Sequence, residues 1–124
     1  RQALVPGEQD ADAAVVLGQP DARTEGPRAG GRGIDGGMHL PTGVCVADGH
    51  LVVADAWHHR LLVYDGIPTR DDARPAWVVG QDAPDLGEPN RGRGAAHAHA
   101  RGFYWPYGVA WLDGRLWVAD TGNR

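Results

Sequence analysis

Two stretches of this chain are versions of one another, and that repetition limits the folds open to it. Residues 41–59, PTGVCVADGHLVVADAWHH, align without gaps on residues 106–124, PYGVAWLDGRLWVADTGNR, at a shift of 65, with nine of nineteen positions identical. The identities include Pro41/Pro106, Gly43/Gly108, Asp48/Asp113, Gly49/Gly114 and the Val-Ala-Asp triplets ending at Asp55 and Asp120. Other pieces return as well: VLGQ at 16–19 as VVGQ at 78–81, and GRG at 31–33 as GRG at 92–94. The period is about 62 residues, and 124 residues hold two of them.

Each period predicts short antiparallel strands. Thr42–Ala47 is an apolar run, and Asp48-Gly49 is a two-residue hairpin signal because both residue types tolerate positive φ. Leu51–Asp55, Arg60–Tyr64 and Ala76–Gly80 follow as further strands. The 19 glycines and 9 prolines supply the turn chemistry such a chain needs and argue against long helices. Four antiparallel strands per period are the content of one propeller blade. The expected division is residues 1–18 as third and fourth strands of a shared blade, 19–41 as a connecting loop, 42–80 as a complete blade, 81–105 as a second loop, and 106–124 as first and second strands of a shared blade.

Composition removes several chemistries. The chain has no serine, which excludes a serine nucleophile, and no lysine, which excludes Schiff-base chemistry; its 12 basic residues are all arginine. A net charge of -4 argues against a general polyanion surface, although Arg91 and Arg93 form a small RG element. The lone cysteine, Cys45, lies in an apolar run and reads as a packed side chain rather than a reactive thiol.

The stretch LPTGVCVADGHLVVADAWHHRLLVYD resembles the NHL repeat: Pro-x-Gly-Val, a hydrophobic pair, Ala-Asp, and an Asn-His-Arg-like turn before the next strand. ADTGNR at 119–124 fits this pattern closely, whereas ADAWHHR replaces Gly-Asn by Trp57-His58. The resemblance implies an all-β propeller with two blades' worth of strands per chain, where six blades are usual. Placed after Arg124, the first residues complete the pattern: Arg1 falls opposite Arg60 and Leu4 opposite Val63. The expectation is therefore that strands around Arg1, Leu4 and Val5 of one copy pair with strands around Leu116, Val118 and Asp120 of another. Three copies would close a six-bladed ring, with four copies or the remainder of a longer propeller as alternatives.

The loops expected on one face of such a propeller carry the candidate sites. Trp57 and His58 in the second-to-third-strand turn, with Phe103, Tyr104, Trp105 and Tyr107 at the entry to the next strand, are candidates for binding a peptide or protein. His97 and His99, joined by His58 and His59, are candidate ligands for a divalent metal, because a His-x-His pair on an extended segment points both rings one way. Some NHL relatives are metal-dependent lyases, so a lyase-like enzyme is the alternative to a non-catalytic, self-assembling binding scaffold, with RNA binding behind both. No catalytic residue and no resident cofactor are assigned. Asp55 and Asp120 read as turn-bracing carboxylates that accept backbone N–H bonds.

Overall fold

A computed structural model describes residues 13–124. Six strands make two antiparallel sheets. The first, in the order β1-β2-β3-β4, consists of β1 (Pro41–Ala47), β2 (His50–Asp55), β3 (Arg60–Val63) and β4 (Trp77–Val79). The second pairs β5 (Pro106–Leu112) with β6 (Arg115–Asp120). No helix among the described residues is long and apolar enough to cross a membrane.

The hairpins follow from local chemistry. Asp48 and Gly49 turn β1 into β2 with φ of 50° and 81°, and Asp113 and Gly114 turn β5 into β6 with φ of 53° and 68°. Consecutive positive φ values give the turn whose twist matches paired strands. β1–β2 and β5–β6 share one register, including an irregularity between Pro41 and Gly43 that recurs between Pro106 and Gly108. At Gly43 an added Cβ would stand 2.6 Å from the Tyr107 carbonyl oxygen, so the two first strands approach closely only because glycine is there.

The apolar side chains divide between the two faces of the first sheet. Ala47, Val52, Ala54 and Leu61 form one buried cluster, against which Cys45, Val63, Val109, Leu116 and Val118 pack. Val53, Leu62 and Tyr64 form the other, with Leu17, Met38, Leu51 and Val78. β2 is covered on both sides, so Val52 to Asp55 are all buried and its sequence lacks polar alternation. Burial pushes the Tyr64 phenol up to about 12 and also raises the Cys45 thiol, which sits half-buried beside the first cluster as a packed residue.

The two sheets stack unlike face on unlike face. Val109, Leu116 and Val118 correspond at a shift of 65 to Val44, Leu51 and Val53, which lie on the far face of the first sheet. Stacking therefore leaves two different faces uncovered. On the first sheet Val44 and Val46 are 63% and 53% exposed; on the second Leu112 and Trp117 are 59% and 55% exposed.

Residues 13–17, expected as the fourth strand of a shared blade, belong to neither sheet, and the third strand expected before them lies outside the described residues. A fourth strand needs a third as neighbour, and β3 is already paired by β2 and β4. Val16 instead donates its N–H to Asp71 Oδ1 at 2.8 Å and accepts the Asp72 N–H at 2.9 Å. Arg1, Leu4 and Val5 lie outside the described residues.

Candidate binding surface

Both β2 and β6 end on an aspartate that organises the turn beyond it. Asp55 is wholly buried. Its Oδ1 accepts the His39 N–H at 2.7 Å, and its Oδ2 accepts from His58 Nδ1 and from Arg60 Nε, each at 2.8 Å. Arg60, 1% exposed, spends its remaining donors on the carbonyls of Pro84, Ile34 and Gly37 at 2.5, 2.9 and 2.9 Å. A buried guanidinium with each of its three nitrogens bonded is a structural brace, and the carboxylate beside it balances its charge.

Asp120 repeats the arrangement in another side-chain alphabet. Its Oδ1 accepts the Tyr104 N–H at 2.7 Å and its Oδ2 accepts from Asn123 Nδ2 at 2.7 Å. In the first period Arg28 Nε donates to His58 Nε2 at 3.3 Å; in the second, Asn90 and Asn123 exchange amide bonds of 3.2 and 2.7 Å. Arg28 and Asn90 occupy equivalent places at a shift of 62, both in left-handed turns with φ of 56° and 52°. The aspartates are thus the turn braces the sequence implies, and the pairs Arg28–His58 and Asn90–Asn123 extend the brace to the long loops.

This bracing brings most of the expected aromatic residues together. Trp57 and Trp105 meet edge-on at 5.3 Å between centroids, and Tyr104 lies 4.8 Å from Trp105. His39 extends the row to Trp57 at 5.8 Å, and His59 extends it to Tyr104 at 5.4 Å. These separations are those of favourable aromatic pairs. The ridge runs His39, Trp57, Trp105, Tyr104, His59 and crosses from one sheet's end to the other's. Trp57 is exposed, while His39, Tyr104 and Trp105 are half-buried. Backbone bonds hold the rings in place: Trp57 N–H donates to the His39 carbonyl at 3.1 Å, and Trp105 N–H donates to His59 Nδ1 at 3.0 Å. Burial lowers the His59 pKa, which keeps that nitrogen free to accept.

Three expected binding residues sit elsewhere or face inward. His58 is 1% exposed, so it supports the ridge from beneath. Phe103 packs on the first cluster and against Gly80, where an added Cβ would stand 2.5 Å from Phe103 Cδ2. Tyr107 is exposed on β5 but makes no ring contact with the row. Leu116 and Val118 are half-buried against the first sheet, while the strand that carries them, β6, pairs only with β5 among the described residues. His39, the residue missed, is found by the shift of 65 that sets it opposite Tyr104.

The four candidate metal ligands do not converge. His97 closes one turn and His99 opens another: His97 N–H donates to the Gly94 carbonyl, and His99 Nδ1 accepts the Arg101 N–H at 3.1 Å. Desolvation, followed by Arg93, Arg91 and Arg101, lowers the His99 pKa. His58 has both ring nitrogens engaged, and His59 has Nδ1 engaged. Among the described residues no three His, Cys, Asp or Glu side chains form a group that could hold a metal ion.

Comparison with known proteins agrees with the repeat. The family model described as NHL repeat matches residues 38–64, which span β1 to β3 and the Asp55 turn. NHL repeat-containing protein 2 of Bos taurus and of Homo sapiens are each 37% identical over 74 residues, 60% of this chain. The chain spans only 8% of the length of those relatives. No solved structure gives a significant match. The Pro-x-Gly-Val strand, the Ala-Asp end of β2 and the braced turn together mark residues 38–64, within the first sheet, as an NHL repeat.

Proposed function

We propose that the chain is a non-catalytic interaction module of the NHL propeller type, whose aromatic ridge binds a peptide or protein segment and whose sheets join further blades. The observation that carries this reading is the ridge itself: aromatic residues from two repeats packed side by side at the sheet ends, with Trp57 exposed. Rigid aromatic side chains held by backbone bonds lose little conformational freedom on binding, which suits them to recognition. NHL repeats commonly serve as protein-interaction modules.

The joining of blades rests on the unlike uncovered faces. A face of the type on Leu112 and Trp117 already fits a face of the type on Val44 within the chain, where the first sheet meets the second. Repeating that contact adds blades in one direction around an axis, and three copies reach the six blades usual for this family. Three copies joined head to tail are the assembly proposed.

Panning a random-peptide display library on the purified chain tests the ridge. The expected result is an enriched set of peptides whose binding falls at least tenfold with Trp57→Ala and with Trp105→Ala. Enriched peptides that bind both variants as well as the parent, or no enrichment at all, would overturn the assignment.

A further inference from the structure

Gln81 and Gln19 end the equivalent segments VVGQ and VLGQ, yet only one of them has a full set of partners. Gln81 is buried, and its Nε2 donates to the carbonyls of His58, His59 and Glu88 at 3.2, 3.0 and 2.8 Å. It clamps the turn between β2 and β3 to the loop that follows β4. Gln19 makes one bond of this set, from Nε2 to the Gly26 carbonyl at 2.8 Å, and Gly26 is equivalent to Glu88 at a shift of 62. The bonds to a turn are missing. Its Nε2 carries a second N–H beyond the one given to Gly26, and that is the donor a clamp on turn carbonyls needs; the buried Oε1, without a hydrogen-bond partner among the described residues, is an acceptor that calls for an N–H instead.

The turn matching His58–His59 is Asn123–Arg124, at the end of the two-stranded sheet. Among the described residues no glutamine clamps it; Gln81, the other glutamine at this repeat position, is committed to the first turn. Beside Gln19, Leu17 packs on the far face of the first sheet, and an open apolar groove there is lined by Ala14, Val15, Leu17, Val44 and Val53. That is the face on which a further sheet of the β5–β6 kind would stack, continuing the contact already made inside the chain.

We propose that Gln19 is a docking residue for a second copy of this chain: its side-chain amide clamps the carbonyls of Asn123 of the partner subunit and Arg124 of the partner subunit, while the partner's β5–β6 sheet fills the groove. The inference rests on the self-association proposed above and adds the contact that sets its register. Gln19 thereby does between copies what Gln81 does within one.

Sedimentation velocity over a dilution series, with the full chain, Gln19→Ala and Gln81→Ala, separates the two roles. Losing the clamp is expected to weaken self-association about tenfold in Gln19→Ala, the effect of one to two net hydrogen bonds, while the dissociated protomer loses only the exposed Gly26 bond and its unfolding midpoint shifts little. Gln81→Ala is expected to lower that midpoint instead. In a Cys45→Ala background, Gln19→Cys with Arg124→Cys is expected to give covalent dimers and trimers with a short bismaleimide. If the parent associates while Gln19→Ala associates equally well and no cross-link forms, the clamp is wrong and self-association stands. If the parent stays a single protomer at every concentration, both fall.

Discussion

Asp55 and Asp120 hold equivalent positions but carry different loads. Asp55 is buried against a buried Arg60, whereas Asp120 is half-buried and bonds only neutral donors among the described residues. Asp55→Ala strands an unpaired guanidinium and is expected to cost ~3–5 kcal/mol. Asp120→Ala loses ordinary hydrogen bonds and is expected to cost ~1–2 kcal/mol. Urea unfolding of the two variants checks the difference. His59 supplies the pH dependence. Burial depresses its folded pKa below the unfolded value, so the unfolded chain takes up the proton first. Stability is therefore full above the ordinary histidine value of about 6.5 and declines as pH falls through it toward the folded pKa. Thermal melts between pH 7.5 and 5.5 should show that decline, and His59→Asn, which suits the left-handed φ of 51°, should flatten it. The bracing role of both aspartates was legible from their place before a tight turn. The partners Arg28 and Asn90 were not, because they lie about thirty residues upstream of His58 and Asn123 and only folding brings each pair together.

Strands and hairpins could be read directly, since Asp-Gly pairs and short apolar runs are local signals. The segment 13–17 shows the limit: it has a strand's composition, but a strand exists only when a neighbour accepts its backbone bonds. The His97–His99 pair needs an extended backbone to point both rings one way, and hydrogen bonds to Gly94 and from Arg101 place turns on either side of it. Glycines at the ends of the repeats set how closely loop and sheet approach. Gly80 has a φ of 100° and faces the rigid ring of Phe103 at 2.5 Å from an added Cβ, while the equivalent Gly18 faces the flexible Met38 at 2.8 Å. Gly80→Ala is expected to cost about 3 kcal/mol and Gly18→Ala about half as much, measured as shifts in chemical unfolding.

Across the molecule, the organising feature is that one sheet's inner face fits the other's outer face. The repeat was legible in the sequence, but which faces meet was not. Both faces are rich in Val and Leu, and only the contact of Val109, Leu116 and Val118 with Val52 and Leu61 reveals the direction of stacking. A heterologous contact predicts a specific complementation. Leu112→Asp spoils one uncovered face and Val46→Asp the other, so each variant alone should lose assembly. Mixed, they retain one intact pair of faces between them and should form a one-to-one heterodimer, visible by native mass spectrometry. Failure of the mixture to associate would mean that the two faces are not partners. The most direct measurement is the solution mass of the full chain by light scattering at rising concentration. The account predicts a plateau near three protomers; a folded species that remains a single protomer at every concentration would contradict it.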